Sequence, residues 1–353
     1  MSSLRPDLEG LEPYRAPQIH AAVRLNTNEC PYPLPEEFLQ DLRSAISGIP
    51  LHRYPDREAT ELREGIAEHA GVAPDEVCVG NGSNEVIQQV CLAYGGAERR
   101  ALVFAPTYAL HSLIPRVVGM DVVAERLDPA FRLPSDAAET CARRDPAIVF
   151  ICSPNNPTGN AQQVSALEPI CETTDGLVVV DEAYGEFGGE SAKPLLARYE
   201  NLVVVRTFSK AFALAAARIG YCLVNRGVAD NVSRVRLPYH LSALAQAAGS
   251  TALRHSEAAL AILDRVRAER DRLVRELATV KGVEVFPSDA NFVLFRTIAP
   301  ADAVWKGLLE RDVLVRDVSE VPGLERCLRV SAGTQSETGA FLEALPAAVK
   351  EAA

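Results

Sequence analysis

The sequence predicts an α/β protein with one large domain built around a mostly parallel sheet and one smaller α+β domain. Its 353 residues exceed what one ordinary hydrophobic core organises. Unbroken apolar runs separated by helical patterns fill the middle of the chain. Such runs are typical of strands buried on both faces of a helix-covered sheet. The C-terminal part instead mixes short strands with helices, which favours a separate α+β unit.

The elements follow one another in a regular order. We expect an N-terminal arm, a large domain and a small domain that part of the N-terminal segment joins; their ranges are 1–35, 36–250 and 251–353. The predicted strands of the large domain are VCVG, ALVFAP, AIVFIC, LVVVD, LVVVRTF and GYCLV, the last as an antiparallel join. The strands predicted for the small domain are VEVFP, NFVLFR, VLVRD and CLRVS. Helical spacing predicts helices over 36–47, 59–71 and 83–96, and one long helix over 256–280.

Charge and cysteine content exclude several classes of function. The net charge of −11 argues against a nucleic-acid or anionic-membrane partner, yet a few arginines can still bind a small anionic substrate. The eight cysteines form no CxxC pair, and no histidine cluster has metal spacing, so we expect reduced thiols, a cytoplasmic protein and no metal. The first residues lack a signal-peptide core, and no stretch predicts a membrane span.

Polar groups follow the ends of successive predicted strands. They are the turn Gly82-Ser83-Asn84, Tyr108, Asn155 and Asn156, Asp181 and Tyr184, Ser209 and Lys210, and Arg218. In open α/β sheets, ligands bind at the carboxyl ends of the strands, so we expect these groups to converge on one crevice. Taken singly, each has an ordinary explanation as a turn, a packing residue, a surface lysine or half of a salt bridge. Their joint order at the strand ends favours a binding site instead.

Several motifs support a family resemblance that runs through almost the whole chain. They are LNTNECPYP, HRYPD, GNGSNE, APTYALH, SPNNPTG, VVVDEAYGEF, RTFSKAFALAAARIGY, RLPYHLSALAQAA, SDANFVLF, VLVRD and CLRVSAGT. With these motifs the sequence resembles the fold-type I pyridoxal-5′-phosphate (PLP) enzymes, and within them the histidinol-phosphate aminotransferase family. The resemblance implies a mostly parallel seven-stranded sheet and PLP as the cofactor. Two departures are Cys30 in NECPY and Asn84, where aspartate is common in the family.

The resemblance also implies a role for each residue. Lys210 would carry the cofactor, Asp181 would pair with its pyridine nitrogen, and Tyr184 and Asn156 would contact its phenolic oxygen. Tyr108 would stack on the ring. The phosphate would be held by Gly82, Ser83, Asn84, Ser209 and Arg218, and by Tyr54 of a second subunit in a homodimer. The substrate would be bound by Tyr14, Asn28, Arg316 and Arg329.

Substrate choice stays open at this point. The main hypothesis is transamination between L-histidinol phosphate and 2-oxoglutarate. An aromatic amino-acid aminotransferase and a PLP-dependent phospho-amino-acid decarboxylase share most of the constellation, because a few pocket residues decide the substrate. A PLP-binding regulator is disfavoured by the acidic charge and by the absence of a preceding DNA-binding domain, and an α/β protein without cofactor is the remaining alternative.

Overall fold

The computed structural model describes residues 4–11 and 19–353, and this part of the chain contains twelve α-helices and thirteen β-strands. The strands are β1 (Val23–Arg24), β2 (Val77–Gly80), β3 (Arg100–Ala105), β4 (Asp121–Arg126), β5 (Ile148–Cys152), β6 (Leu177–Asp181), β7 (Leu202–Thr207), β8 (Gly220–Val224), β9 (Val283–Val285), β10 (Phe292–Thr297), β11 (Val313–Leu314), β12 (Arg316–Asp317) and β13 (Cys327–Ser331). The helices are α1 (Glu36–Ser47), α2 (Thr60–Ala70), α3 (Ser83–Tyr94), α4 (Leu110–Val117), α5 (Ala137–Arg144), α6 (Val164–Thr173), α7 (Arg226–Ser233), α8 (Ala243–Arg254), α9 (Ser256–Leu260), α10 (Ile262–Leu277), α11 (Ala301–Leu309) and α12 (Gln335–Ala352).

The large sheet has seven strands in the order β2-β8-β7-β6-β5-β3-β4. Strands β3 to β7 run parallel to one another, whereas β8 is antiparallel to both β7 and β2. The prediction of a mostly parallel sheet with GYCLV as its antiparallel join is therefore confirmed. The seventh strand, β4, was not among the predicted apolar runs. It lies at the edge of the sheet and alternates exposed with half-buried residues, so it lacks the unbroken apolar signature.

Both faces of this sheet are buried. In β6, Val178 and Val180 pack into one core layer, and Leu177 and Val179 pack into the other. The second layer is closed by apolar residues of α3, α4 and α7. Because alternate residues of a strand point to opposite faces, burial on both sides requires the continuous Val/Ile/Leu runs that the sequence contains.

A second, four-stranded antiparallel sheet in the C-terminal part has the order β12-β13-β10-β9. We expected one strand for VLVRD, but the structure contains two. β11 pairs in parallel with β1 of the N-terminal segment, and β12 pairs with β13. The chain changes sheet at Val315, whose carbonyl accepts a hydrogen bond from Trp305 Nε1 at 2.9 Å instead of continuing a ladder.

The helix predicted over 256–280 is also divided, into α9 and α10 at Ala261. Ala261 keeps right-handed helical angles (φ −59°, ψ −22°), so the division is a local interruption and not a change of direction. Helix α8 runs through position 250, where we placed the boundary between the two domains. The exact domain division stays a prediction. Among the described residues, no helix is both long and apolar enough to span a membrane.

Candidate active site

A pocket of about 150 Å³ opens at the carboxyl ends of the central parallel strands. It combines residues from the large sheet, from the N-terminal segment and from β12 and β13. The lining residues are Asn26, Thr27, Asn28, Ser83, Asn84, Tyr108, Cys152, Asn156, Asp181, Ala183, Tyr184, Thr207, Ser209, Lys210, Arg218, Arg316 and Arg329. The convergence expected from the strand-end pattern is therefore present in the fold.

The turn between β2 and α3 forms an anion-binding corner of this pocket. Gly82 stands immediately before α3 with φ 88° and ψ 162°, a backbone conformation that only glycine adopts readily. A Cβ on Gly82 would overlap the Arg218 guanidinium, so glycine also allows this close approach. Arg218 Nη1 donates to Ser209 Oγ at 3.2 Å. A helix N-terminus, a hydroxyl and a guanidinium thus meet at one point, which suits a phosphate dianion.

A buried carboxylate lies at the end of β6. Asp181 is 2% exposed, and its Oδ1 accepts a hydrogen bond from the Ala183 N–H at 3.0 Å. Its Oδ2 lies 2.9 Å from His111 Nε2. The His111 ring stacks on Phe150, with a centroid distance of 5.2 Å, and meets the Tyr108 ring edge-on at 5.4 Å. The His111 imidazole therefore fixes the position of the Asp181 carboxylate, and Tyr108, which contacts the imidazole, lines the pocket.

Lys210 follows β7 and extends its amine towards the N-terminal segment. Its Nζ donates to the Thr27 carbonyl at 3.0 Å. The pKa of the Lys210 amine is lowered to about 8, first by burial and then by the nearby Arg329 and Arg218 cations, while Glu29 acts in the opposite direction. A lysine with such a pKa has a substantial neutral, nucleophilic fraction near neutral pH.

The side chain of Tyr184 is hydrogen-bonded by a residue of the N-terminal segment. Its hydroxyl accepts a hydrogen bond from Asn28 Nδ2 at 3.0 Å, and its ring contacts Phe292 edge-on at 5.1 Å. Burial raises the pKa of the Tyr184 hydroxyl well above its usual range. Asn28 has a positive φ of 54° and also accepts from Ser331 Oγ at 2.9 Å. Asn28 therefore connects Tyr184 to β13, and this contact joins the N-terminal segment to both sheets.

Two arginines enter the pocket from the smaller sheet. Arg316 in β12 and Arg329 in β13 are directly opposed in the antiparallel ladder. Arg329 Nη1 donates to Asn156 Oδ1 at 2.6 Å, and its Nη2 donates to the Asn26 carbonyl at 2.7 Å. Because the Asn156 oxygen accepts from Arg329, the amide NH₂ of Asn156 is directed away from that arginine and can donate to an acceptor in the pocket.

Most of the predicted site residues meet in this pocket. Gly82 borders it, and the other predicted cofactor and substrate residues line it, apart from Tyr54 and Tyr14. Asn155, which we expected to converge with them, does not line it, because its buried amide donates to the Pro106 carbonyl at 2.8 Å and to Thr158 Oγ1 at 2.7 Å. Tyr54 is 80% exposed and stacks on Tyr239 at a centroid distance of 4.5 Å, away from the pocket of its own chain. Tyr14 lies outside the described residues.

Sequence reasoning missed three neighbours of these groups. His111 and Thr27 contact Asp181 and Lys210, and Ser331 holds Asn28. Only His111 could have been found from the sequence. It lies at the start of α4, three residues after Tyr108, and this spacing brings the two side chains to the same side. Within the part of the chain that the structure describes, no group of three or more His, Cys, Asp or Glu residues is arranged to hold a metal ion.

The fold and the site together define a class of protein. Its members have an α/β sheet that is buried on both faces, with a lysine, a buried carboxylate and an anion-binding turn at the strand ends. The model of the family described as "Aminotransferase class I and II" matches residues 21–345. The histidinol-phosphate aminotransferase of Frankia casuarinae is 47% identical over 97% of this chain and 89% of its own length. That of Thermobifida fusca is 44% identical over 97% of this chain and 94% of its own length.

A solved structure agrees with these relatives. The crystal structure of histidinol-phosphate aminotransferase from Sinorhizobium meliloti in complex with pyridoxal-5′-phosphate superposes with a TM-score of 0.89 at 26% identity, covering 100% of this chain and 99% of that one. The chain therefore belongs to the histidinol-phosphate aminotransferases, within the class I and II aminotransferase family.

Proposed function

We propose that this chain transfers the amino group of L-histidinol phosphate to 2-oxoglutarate, giving imidazole-acetol phosphate and L-glutamate, reversibly, as a step of histidine biosynthesis. The observation that carries the proposal is the pocket itself. It places Lys210 between an anion-binding turn of the large sheet and two arginines of the smaller sheet. A site of this kind has one place for a phosphorylated cofactor and a second for an anionic substrate.

The residues of the pocket fit PLP. Gly82 clears the space that Arg218 occupies, and Arg218, Ser209 and the start of α3 form a cradle for the phosphate. We assign phosphate binding to Gly82, Ser83, Asn84, Ser209 and Arg218, and ring contacts to Tyr108, Asn156, Asp181 and Tyr184. When bound, PLP supplies an aldehyde that bonds covalently to amines and a protonated pyridine ring that accepts electron density.

Two side chains of the protein then handle the protons. Asp181 would pair with the protonated pyridine nitrogen, because it is buried at the end of β6 and its carboxylate is held in place by the Ala183 N–H and by contact with His111. Lys210 would bind the cofactor and, when released by the incoming substrate amine, move a proton at the substrate carbon. Its pKa of about 8 suits both tasks, since the neutral amine is accessible close to the working pH.

Arg316 and Arg329 would bind the phosphate of the substrate, together with Asn28 and Tyr14. A guanidinium binds phosphate oxygens in pairs through its planar donor fork. Both arginines lie in one short ladder opposite the cofactor corner. This arrangement gives the substrate phosphate anchors that are separate from those of the cofactor phosphate.

We also propose a cytoplasmic homodimer in which Tyr54 reaches the cofactor phosphate of the other subunit. Tyr54 and Tyr239 form an exposed aromatic stack, and the neighbouring Leu51 and Leu237 are exposed as well. Large apolar side chains gathered at one surface are typical of an interface. The eight free cysteines are consistent with a reducing compartment. The division into an arm, a large domain and a small domain belongs to the same proposal.

The substrate is tested by an amino-donor panel and one arginine variant. Histidinol phosphate should be a much better donor than phenylalanine, tyrosine or threonine phosphate. Arg329→Ala should raise the KM for histidinol phosphate and cost roughly 2–4 kcal/mol of apparent transition-state binding, with cofactor affinity little changed. Arg326→Ala removes an exposed arginine near the same strand and serves as the matched control. Phenylalanine as the preferred donor would replace this proposal with an aromatic aminotransferase.

A further inference from the structure

Two cysteines outside the pocket lie directly opposite each other in the large sheet. Cys78 in β2 and Cys222 in β8 are register partners of an antiparallel pair. Both side chains enter the core layer covered by α3 and α7, where Cys78 is 5% exposed and Cys222 is 0% exposed. Directly opposed residues of such a pair have Cα atoms about 4.5–5.5 Å apart, and disulfides span Cα separations of about 4.4–6.8 Å. The expected Cα separation therefore falls within the range that a disulfide can span.

The ladder also indicates that this bond would be strained. The Phe208 N–H donates to the Ile219 carbonyl at 3.0 Å, which assigns the odd-numbered residues of β8 to the hydrogen bonds with β7. The backbone N–H and C=O of Cys222 consequently face Cys78, so the two residues form a hydrogen-bonded pair. The Cα atoms of such pairs are about 5.5 Å apart, farther than the roughly 4.5 Å of non-hydrogen-bonded pairs. The Cβ atoms must approach to form a disulfide, so β2 and β8 would have to move together. Strained disulfides are the more easily reduced ones, which suits a reversible link.

The two thiols differ in reactivity. The hydrogen bond from Cys222 lowers the pKa of Cys78, with Arg63 and Arg236 contributing in the same direction, whereas burial and Asp230 raise it. The same hydrogen bond raises the pKa of Cys222 well above its usual range. The other six cysteines all have raised pKa values as well. Cys78 is thus the one cysteine whose surroundings lower the thiol pKa, and the thiolate is the form that attacks an oxidant.

We propose that Cys78 and Cys222 are a hydroperoxide-sensitive disulfide site, and that closing this disulfide loosens the cofactor-phosphate turn. The Cys78 thiolate attacks the hydroxyl oxygen of the hydroperoxide and the O–O bond breaks, so that Cys78 becomes a sulfenic acid. The other oxygen leaves as the alcohol or water after it takes up the proton that the Cys78 thiol released. Cys222 then attacks that sulfur, and its proton leaves with the hydroxyl group as water. The two thiols supply the two electrons that reduce the O–O bond. The proposal requires a small oxidant to reach Cys78, which lies in the edge strand β2 and keeps 5% of its surface exposed.

The connection to the turn is short. Two residues after Cys78, β2 ends at Gly80, and the Gly82 N–H donates back to the Gly80 carbonyl at 2.8 Å. Gly220 of β8 is the register partner of Gly80, and a Cβ there would overlap the backbone of Gly82 and Ser83. Drawing the two strands together therefore presses β8 against the backbone that binds the phosphate. This regulation does not depend on which amine the enzyme uses.

The test treats the PLP-loaded enzyme with hydrogen peroxide, blocks free thiols in denaturant and maps the peptides by mass spectrometry. We expect a Cys78–Cys222 peptide, two fewer alkylated cysteines than the eight of the untreated protein, and full reversal by dithiothreitol. Fluorescence titration should show a Kd for PLP raised at least about tenfold in the oxidised protein, equivalent to the loss of one charged hydrogen bond.

Three variants separate the possible outcomes. Cys222→Ser and Cys222→Ala should form no link and keep their PLP affinity after peroxide treatment. Cys91→Ser removes a buried thiol of the same core layer and should behave as the parent protein does. Sulfinic acid at Cys78 without a linked peptide, or links between other cysteines, overturns the assignment of the site. Linked protein with an unchanged Kd for PLP overturns the coupling to the turn. Neither result depends on the donor panel, so failure here is distinct from failure of the proposed reaction.

Discussion

At the residue scale, the two groups that carry the chemistry owe their properties to neighbours contributed by distant parts of the chain. Lys210 is surrounded by Arg329, Arg218 and the Thr27 carbonyl, and Asp181 is held by His111. Burial and the two nearby cations favour the neutral form of the Lys210 amine. The pocket therefore tunes the amine for proton transfer near neutral pH, while His111 fixes the position of the Asp181 carboxylate.

The pKa of Lys210 can be measured directly. Burial lowers it, so the neutral amine predominates above about pH 8 and the charged amine below it. In cofactor-free protein we expect acetylation of Lys210 by acetic anhydride to be half-maximal near pH 8. The exposed Lys281 in the same samples provides an internal reference. A midpoint at or above pH 10, the range of ordinary lysines, would contradict this interpretation.

Asp181→Asn removes the charge and keeps the shape of the side chain. We expect turnover to fall by at least about 10²–10³-fold, because the ring nitrogen would lose its anionic partner. Glu182→Gln is the matched control, since Glu182 is equally buried but pairs with Arg206 at 2.6 Å. That variant should lose stability, by about 3–5 kcal/mol as for other broken buried ion pairs, while its folded fraction keeps turnover. Near-normal turnover of Asp181→Asn would refute the assigned role.

At the scale of elements, function lies in the turns that follow strands. The large sheet presents the ends of β5, β6 and β7 side by side, and each strand delivers its polar residues to the same edge. The β2–α3 turn reaches this edge although β2 is separated from β7 by the antiparallel β8. An antiparallel partner reverses the chain direction, so β8 begins at Gly220 beside the turn, and Arg218 lies two residues before the start of β8.

Gly82→Ala tests this turn. Its backbone angles are nearly restricted to glycine, and the new methyl group would overlap Arg218. We expect the Kd for PLP to rise by at least about tenfold, equivalent to one lost charged contact. Gly96→Ala also has a positive φ, of 121°, but open space around it, and should leave PLP affinity unchanged. Equal affinity losses in both variants would point to general strain instead of the phosphate corner.

At the scale of the whole molecule, the site is shared between parts of the chain that are far apart in sequence. The N-terminal segment, the large sheet and the smaller sheet each contribute lining residues. The parallel pairing of β1 with β11 and the hydrogen bonds of Asn28 tie these parts together. A proposed second subunit would add Tyr54 as a fourth contributor.

Mixing two inactive or impaired variants tests the shared site. Tyr54→Phe and Lys210→Ala should each be defective alone, because each homodimer lacks one group at both sites. Heterodimers formed after subunit exchange would contain one site with both native residues and recover activity. The measurement is turnover of the mixture relative to the sum of the parents, with exchange demonstrated by native mass spectrometry. If proven heterodimers show no gain, Tyr54 does not act across the interface.

The sequence by itself determined the class of fold, six of the seven strands of the large sheet and the polar residues at their ends, but not the edge strand β4. Local patterns encode these features, because burial on both faces demands apolar runs and a phosphate turn demands glycine. The roles of Tyr54 and Tyr14 remain predictions, since Tyr54 is exposed away from the pocket of its own chain and Tyr14 lies outside the described residues.

Only the tertiary structure decided which side chains act on one another. His111 reaches Asp181 across 70 residues, Arg329 reaches Asn156 across 173, and Thr27 reaches Lys210 across 183. It also placed Cys78 opposite Cys222, two cysteines that looked ordinary in their apolar runs. The register between strands and the packing of the two sheets fix such pairs. No periodicity along the chain records them, because they depend on how elements meet in space and not on what each element is.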